Sequence, residues 1–217
     1  MQMKNNTHTA SPAGLSMQRR VLCLAMAGLL STALVGTSAA HAGAPENPIA
    51  GVRFEPRVQL AGQALRLNGT GLRAVAWFKG YAAGLYLAQP AATADDALAQ
   101  AGAKRLQMRL LVDVPIGEFA KAFHKGVARN TPPALHAGLA ERMATFDALL
   151  RPLGKVRKGD LVNLDLVPGQ GLLFWLNGRQ LGGAIPGDDF YAALLRIFLG
   201  DHPVDDKLKA GLLGQRA

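Results

Sequence analysis

Residues 43–217 of this 217-residue sequence predict an α+β fold in which helices cover an antiparallel sheet. Strand-like segments occur in two blocks, each followed by helical segments, whereas parallel α/β folds alternate strand and helix strictly. Asn177-Gly178 stands between two strand-like segments and is the strongest hairpin signal, because both central residues of that turn need a positive φ. A two-residue hairpin joins antiparallel strands, so we expect the sheet to be antiparallel.

The first block of strands extends from Val52 to Leu87 and is interrupted by glycines. Alternating and apolar segments predict the strands, and Asn68-Gly69 predicts a turn within the block. The glycines suit tight turns, bulges or places where another backbone approaches closely. The predicted strands are Val52–Leu60, Leu65–Leu67, Arg73–Phe78 and Tyr81–Leu87, and the glycines are Gly69, Gly71, Gly80 and Gly84.

A short helix and a further strand follow this block. The helix is expected over Asp95–Ala101, with Thr93 as its N-cap, because a threonine hydroxyl accepts a bond from the first helical N–H groups. Arg105–Val114 alternates apolar and polar residues and therefore predicts a strand.

Two longer helices come next. Apolar residues spaced by three and four predict the first helix, which Pro115 opens and Asn130 ends. Thr131 precedes two prolines and is the expected N-cap of the second helix, which continues to about Arg151.

The second block of strands begins after these helices and contains the predicted hairpin. Its first strand alternates with a period of two residues, as a half-buried strand does. Two amphipathic helices complete the sequence, the last of them N-capped near Asp205. The predicted strands are Asp160–Val167, Leu172–Leu176 and Arg179–Ile185, and the helices are Asp188–Gly200 and Asp205–Leu213.

The first 42 residues have the pattern of a secretory signal peptide. Lys4, Arg19 and Arg20 precede an apolar run over Val21–Val35, and small residues lead to a cleavage signal at Ala40-His41-Ala42. The apolar run is shorter than the roughly 20 residues that a membrane span needs. We therefore predict a cleaved signal at 1–42, a periplasmic domain over 43–217 and no stable membrane span.

Composition excludes several classes of function. The one cysteine, Cys23, lies within the predicted signal, so the exported domain would have no disulfide and no thiol nucleophile. The net charge of +9 comes from scattered basic residues without interleaved aromatic residues, which argues against nucleic-acid binding and favours weak attraction to anionic ligands or membranes.

The usual catalytic motifs are missing from the sequence. His124, His136 and His202 form no H-E-x-x-H pattern, so we expect no metal site. No serine follows residue 42, which excludes a serine nucleophile. A single G-x-G at Gly69 and Gly71 does not open a helix as a dinucleotide-binding loop would, and we expect no cofactor.

Arg73 is the residue that points most directly to a binding site. It stands beside an apolar run, where its paired N–H groups would suit a carboxylate or an enolate. The alternative is that Arg73 extends from its strand to water or to a surface acid. A buried arginine without a counter-ion is costly, so either a ligand or a protein carboxylate must face it.

The sequence resembles the chalcone isomerase superfamily, in its bacterial secreted branch. This resemblance implies an open-faced β-sandwich with helices on one side of an antiparallel sheet and a ligand cleft between them. The matching segments are LNGTGLR (67–73), GLYL (84–87), GVARN (126–130), KGD (158–160), FWLNG (174–178) and a long segment over 185–214.

The resemblance also suggests which residues bind a ligand. In the enzymes of this family an arginine after the G-x-G-x-R turn steadies phenolate and enolate charge, and Arg73 matches it. The family's threonine falls at Tyr81, its tyrosine at Phe123 and its asparagine at Asn130; we add Tyr191 to this set as a ligand-binding residue. Phe123 lacks the hydroxyl that holds a water at the ketone, so we expect no isomerase activity.

Three functions are then compatible with the sequence. The first is a non-catalytic binder of a fatty acid or a similar amphiphilic carboxylate, as some plant relatives are, with Arg73 and Tyr81 holding the carboxylate. The second is an isomerase, an intramolecular lyase in which Arg73 stabilises an oxyanion. The third is an envelope interaction protein in which Arg73 is structural. An apolar cavity next to Arg73 would separate the first two from the third.

Overall fold

A seven-stranded antiparallel sheet forms the centre of the computed structural model, which describes residues 48–75 and 78–215. Neighbouring strands pair in the order β1-β2-β3-β4-β7-β8-β9. Strands β5 and β6 form a separate pair beside it. The strands are β1 (Arg57–Leu60), β2 (Gln63–Val75), β3 (Phe78–Leu87), β4 (Lys104–Leu110), β5 (Val114–Pro115), β6 (Lys155–Val156), β7 (Leu161–Val167), β8 (Gly171–Leu176) and β9 (Arg179–Gln180).

Five helices within the described residues pack against one face of this sheet, and the main apolar core lies between the two layers. Alternate residues of the central strands, such as Leu85, Leu106 and Leu164, meet Phe146 and Phe190 from the helices, and all are almost fully buried. Burying a side chain of this size stabilises the fold by about 1.5–3 kcal/mol. The helices are α1 (Ala94–Ala99), α2 (Ile116–Asn130), α3 (Pro133–Leu150), α4 (Asp188–Leu199) and α5 (Asp206–Leu212).

The opposite face of the sheet contains a smaller apolar cluster and two polar cross-strand pairs. Arg105 of β4 donates two hydrogen bonds of 2.7 Å to Asp165 of β7. Gln107 donates to Asn163 at 2.9 Å, one pair further along the same strands. The architecture is thus the predicted one: an α+β fold with an antiparallel sheet and helices on one side.

The hairpin and two helix caps were predicted correctly. Asn177 and Gly178 both have positive φ, 51° and 80°, and connect β8 to β9. The Thr93 hydroxyl accepts a bond from the Asp96 N–H at the start of α1, and Asp205 accepts one from the Leu208 N–H at the start of α5. These features depend only on neighbouring residues.

The predicted turn at Asn68-Gly69 is wrong. Strand β2 continues through it, with a register shift between Leu67 and Gly69 that marks a β-bulge. The bulge frees the Asn68 amide to donate to the Leu212 carbonyl at 2.8 Å and to accept from the Ala91 N–H at 2.7 Å. Asn68 therefore forms hydrogen bonds with residues distant in the sequence and takes no part in a local turn.

Other predicted boundaries also differ. The second long helix begins at Pro133, and its N-cap is Pro132, because the residue before a proline is forced into an extended conformation and Thr131 adopts it. Strand β1 begins only at Arg57, after Pro56, and β9 ends at Gln180. The predicted signal at 1–42 lies outside the described residues, and no helix within the described part of the chain could cross a membrane.

Candidate functional site

Three alternate residues of β2 face the helices: Gly69, Gly71 and Arg73. Arg73 pairs with Tyr81 of β3, whose side chain packs against the core beneath the helices. Because successive side chains of a strand point to opposite faces, the two glycines before Arg73 must share its face. The Gly-x-Gly-x-Arg segment therefore places an arginine on the helix side, beyond two residues that have no side chain.

Helix α5 occupies the space over these glycines. A Cβ atom on Gly69 would lie 2.2 Å from the Gly211 carbonyl oxygen, and one on Gly71 would lie 2.7 Å from Leu208. Any larger residue would push the helix away from the sheet. The close approach brings the first turn of α5, with its N-cap Asp205, next to Arg73.

Asp205 is the protein carboxylate that faces Arg73. Its Oδ1 caps α5, and its Oδ2 accepts a bond of 3.2 Å from the Arg73 Nη1, which also donates to the Ala74 carbonyl at 2.9 Å. The side chains are 25 % and 15 % exposed. Arg73 is therefore not an uncompensated cation. The contact uses one nitrogen of the guanidinium, and within the described residues Nε and Nη2 have no bonded partner.

A cavity of about 180 Å³ lies beside Arg73, between the sheet and helices α2, α3 and α4. Arg73 and Tyr81 provide its polar groups, and aromatic and aliphatic side chains form the rest of the wall. The apolar lining residues are Met108, Phe119, Ala122, Phe123, Phe146, Leu164, Leu194, Ile197, Phe198 and Val204. We call this space the apolar cavity.

Tyr81 keeps its hydroxyl proton in this environment. Burial raises the pKa of Tyr81 well above its ordinary value of 10, and the nearby Arg73 charge only partly opposes that rise. The phenol is thus neutral throughout the physiological range. Within the described residues its hydroxyl has no hydrogen-bond partner, so it can donate to a group placed in the apolar cavity.

Phe123 belongs both to the core and to the cavity wall. It is 6 % exposed, and its ring centroid lies 4.6 Å from that of Phe146 and 6.2 Å from that of Phe190. The cavity wall at Phe123 is thus an aromatic surface without a hydroxyl. An apolar group of a ligand would find a suitable contact here.

Asn130 and Tyr191 do not line the apolar cavity. Asn130 donates to the Gly126 and His202 carbonyls and accepts from the His202 N–H, each at 2.9 Å, and so holds the segment after α4 against α2. Tyr191 is 1 % exposed and donates to the Leu164 carbonyl at 3.1 Å. It borders a different cavity, of about 340 Å³, together with Lys104.

Asp205 is the member of the site that sequence reasoning missed. Its role as a helix cap was predicted, but its partner Arg73 lies 132 residues away in the sequence. The described residues contain no group of three histidine, cysteine, aspartate or glutamate side chains that would hold a metal ion. Arg73 and Tyr81 thus place a cation and a phenol at the edge of an otherwise apolar space.

Comparison with known proteins identifies the family. A family model described as chalcone isomerase-like matches residues 46–214, which is most of the chain. The chain belongs to the chalcone isomerase-like family. The sequence resemblance is thereby confirmed, and the helix-covered sheet is the fold of this chalcone isomerase-like chain.

Among solved structures, the chalcone isomerase-like chain resembles the Arabidopsis thaliana fatty-acid binding protein AtFAP1. The TM-score is 0.59 and the sequence identity 18 %, over 77 % of this chain and 94 % of the plant protein. At an identity this low, the structural similarity shows a shared fold and nothing more. The sequence has no significant match among curated proteins.

Proposed function

We propose that this protein is an exported, non-catalytic binder of a fatty acid or a similar amphiphilic carboxylate. The observation that carries this proposal is the apolar cavity of about 180 Å³, which has a guanidinium and a neutral phenol among otherwise apolar walls. An amphiphile presents the complementary pair of groups: an apolar tail for the walls and a carboxylate for Arg73 and Tyr81.

Two further observations support a binder. The plant protein with the same fold is described as a fatty-acid binding protein. The guanidinium of Arg73 still has donors to offer, because Asp205 engages only its Nη1. A ligand carboxylate would then accept charge-assisted bonds, which are about twice as strong as those between neutral groups.

Native mass spectrometry of periplasmic protein, purified without detergent, tests export and binding together. We expect a chain that begins near Gly43, since the first 42 residues have a signal pattern, with an additional mass from a bound amphiphile. A full-length chain retained in the cytoplasm would contradict export, and a ligand-free chain that also fails to take up added fatty acids would contradict the binding function.

Replacing Arg73 with alanine should weaken fatty-acid binding by about 10- to 150-fold, which corresponds to the 1.5–3 kcal/mol of a hydrogen bond to a charged group. Arg73→Lys should recover only part of the affinity, because the planar fork is lost. Titration calorimetry measures both effects. Arg66→Ala is the matched control, since Arg66 is an exposed arginine of the same strand that does not line the cavity.

The stability of the Arg73→Ala variant separates binding from a structural role. Asp205 still caps α5 in this variant, so we expect the free energy of unfolding to change by at most about 1 kcal/mol. Unchanged affinity together with a collapsed fold would make Arg73 a structural residue and favour the envelope interaction protein.

We expect no efficient cyclisation of a 2′-hydroxychalcone. Phe123 provides no hydroxyl on the cavity wall, and a positioned acid or water contributes about 10²–10⁴-fold to such reactions. The rate with protein should therefore barely exceed the spontaneous rate, as followed by the loss of chalcone absorbance. Fast and stereoselective turnover would instead establish the isomerase.

A further inference from the structure

A second cavity, of about 200 Å³, adjoins the apolar cavity. The two share Arg73, Ala122, Ile197 and Val204, so they are adjacent spaces with Arg73 at their boundary. The other lining residues of the second cavity are mostly basic or polar: Lys125, Gly126, Arg129, His202 and Pro203. We call this space the basic pocket.

Two basic residues of this pocket, Lys125 and Arg129, have no neutralising acid among the described residues, whereas Arg73 is paired with Asp205. Lys125 and Arg129 are exposed on α2, and within the described residues neither has a carboxylate in ion-pair contact. Asp205 engages Arg73 and no other side chain of this pocket. Arg129 lies in the last turn of α2, where a cation is favourable, but its repulsion from Lys125 four residues earlier opposes that gain.

The small size of the apolar cavity limits the ligand's tail. A cavity of about 150 Å³ accommodates a benzene ring, so one of about 180 Å³ has room for about six or seven carbon atoms. A long acyl chain would not fit without movement of the walls. Substantial space for the ligand remains on the other side of Arg73, among the cations.

We propose that, besides carboxylates, the site accepts phosphate monoesters with a short apolar tail and binds them more tightly, because their dianionic head occupies the basic pocket and contacts Arg73, Lys125 and Arg129. This inference rests on the proposed function, since it places the tail in the same apolar cavity. A single carboxylate is satisfied by Arg73 and Tyr81, without the other cations of the basic pocket. A phosphate has three acceptor oxygens and a charge near −2 above its second pKa of about 6, and so engages several cations at once.

Calorimetry at pH 8 with hexyl phosphate and hexanoate tests this inference. We expect hexyl phosphate to bind at least about tenfold more tightly, because it forms additional charge-assisted bonds. Lys125→Gln and Arg129→Gln should each lower its affinity about fivefold and leave hexanoate nearly unchanged. Lys121→Gln is the matched control: Lys121 lies one turn earlier on α2, is paired with Glu118 at 2.8 Å and lines neither cavity.

The other outcomes contradict the inference in distinguishable ways. If hexanoate binds through Arg73 and hexyl phosphate binds no better, the inference fails and the proposed function stands. If neither ligand nor a longer fatty acid binds, the proposed function fails as well. Equal affinity for inorganic phosphate would show that the tail contributes nothing. If the two variants impair only sedimentation with anionic vesicles, the basic pocket is a membrane-docking surface and the inference is wrong.

Discussion

Replacing Phe146 with alanine will lower the free energy of unfolding by about 3–5 kcal/mol, the usual loss for a large aromatic residue removed from a core. Phe146 is fully buried, and its ring centroid lies 4.6 Å from that of Phe123 and 5.8 Å from that of Phe174. Truncation removes these contacts and leaves a void that the rigid sheet beneath cannot fill. Urea unfolding followed by circular dichroism measures the loss.

The same substitution should alter which ligands bind, because Phe146 lines the apolar cavity. The enlarged cavity should accept longer tails, and such ligands should restore stability by an amount that grows with the logarithm of their concentration relative to their dissociation constant. Leu135→Ala on the same helix is the control: Leu135 is 56 % exposed, so its loss should change stability by less than about 0.5 kcal/mol. An equal loss in both variants would show that burial at Phe146 is unimportant.

The second large effect is expected at Asp165, on the other face of the sheet. Asp165 is 0 % exposed and accepts bonds from both the Nε and the Nη2 of Arg105. Burial raises the pKa of Asp165, and the bonds from Arg105 oppose that rise. Asp165→Ala leaves Arg105 without its partner and should cost about 3–5 kcal/mol of unfolding free energy.

Asn163→Ala is the matched control for Asp165→Ala. Asn163 lies on the same face of the same strand and accepts one bond, from Gln107 at 2.9 Å, so its loss should cost only about 1 kcal/mol. Replacing Arg105 and Asp165 together by leucine should recover most of the stability, since the unpaired charge disappears. A double variant as unstable as Asp165→Ala would show that the charge is not the cause.

The parts of the fold that the sequence predicted are those that neighbouring residues determine. Alternation marked β7, and Asn177-Gly178 marked the hairpin, because each pattern lies within a few residues. The bulge at Gly69 depends instead on α5, whose residues are far away in the sequence. The sequence shows the two glycines of β2, but it does not show that α5 packs on them.

The residues of the site also differ in whether neighbouring residues or distant contacts determine their surroundings. Arg73, Tyr81 and Phe123 border one cavity, and their role in binding stays a prediction. Asn130 and Tyr191 satisfy backbone groups elsewhere, and no local pattern distinguishes such a residue from one that binds a ligand. The pairing of Arg73 with Asp205 and the size of the cavity result from packing between distant segments, which a single sequence does not encode locally.

The docking of α5 on Gly69 and Gly71 also bears on the order in which the protein is assembled. Strand β2 is synthesised early, whereas α5 comes last among the described elements. The face of β2 that carries Gly69 and Gly71 therefore stays uncovered in any chain in which α5 has not yet docked. Asp205 reaches Arg73 only once α5 has docked, so the ion pair at the site depends on the last described helix.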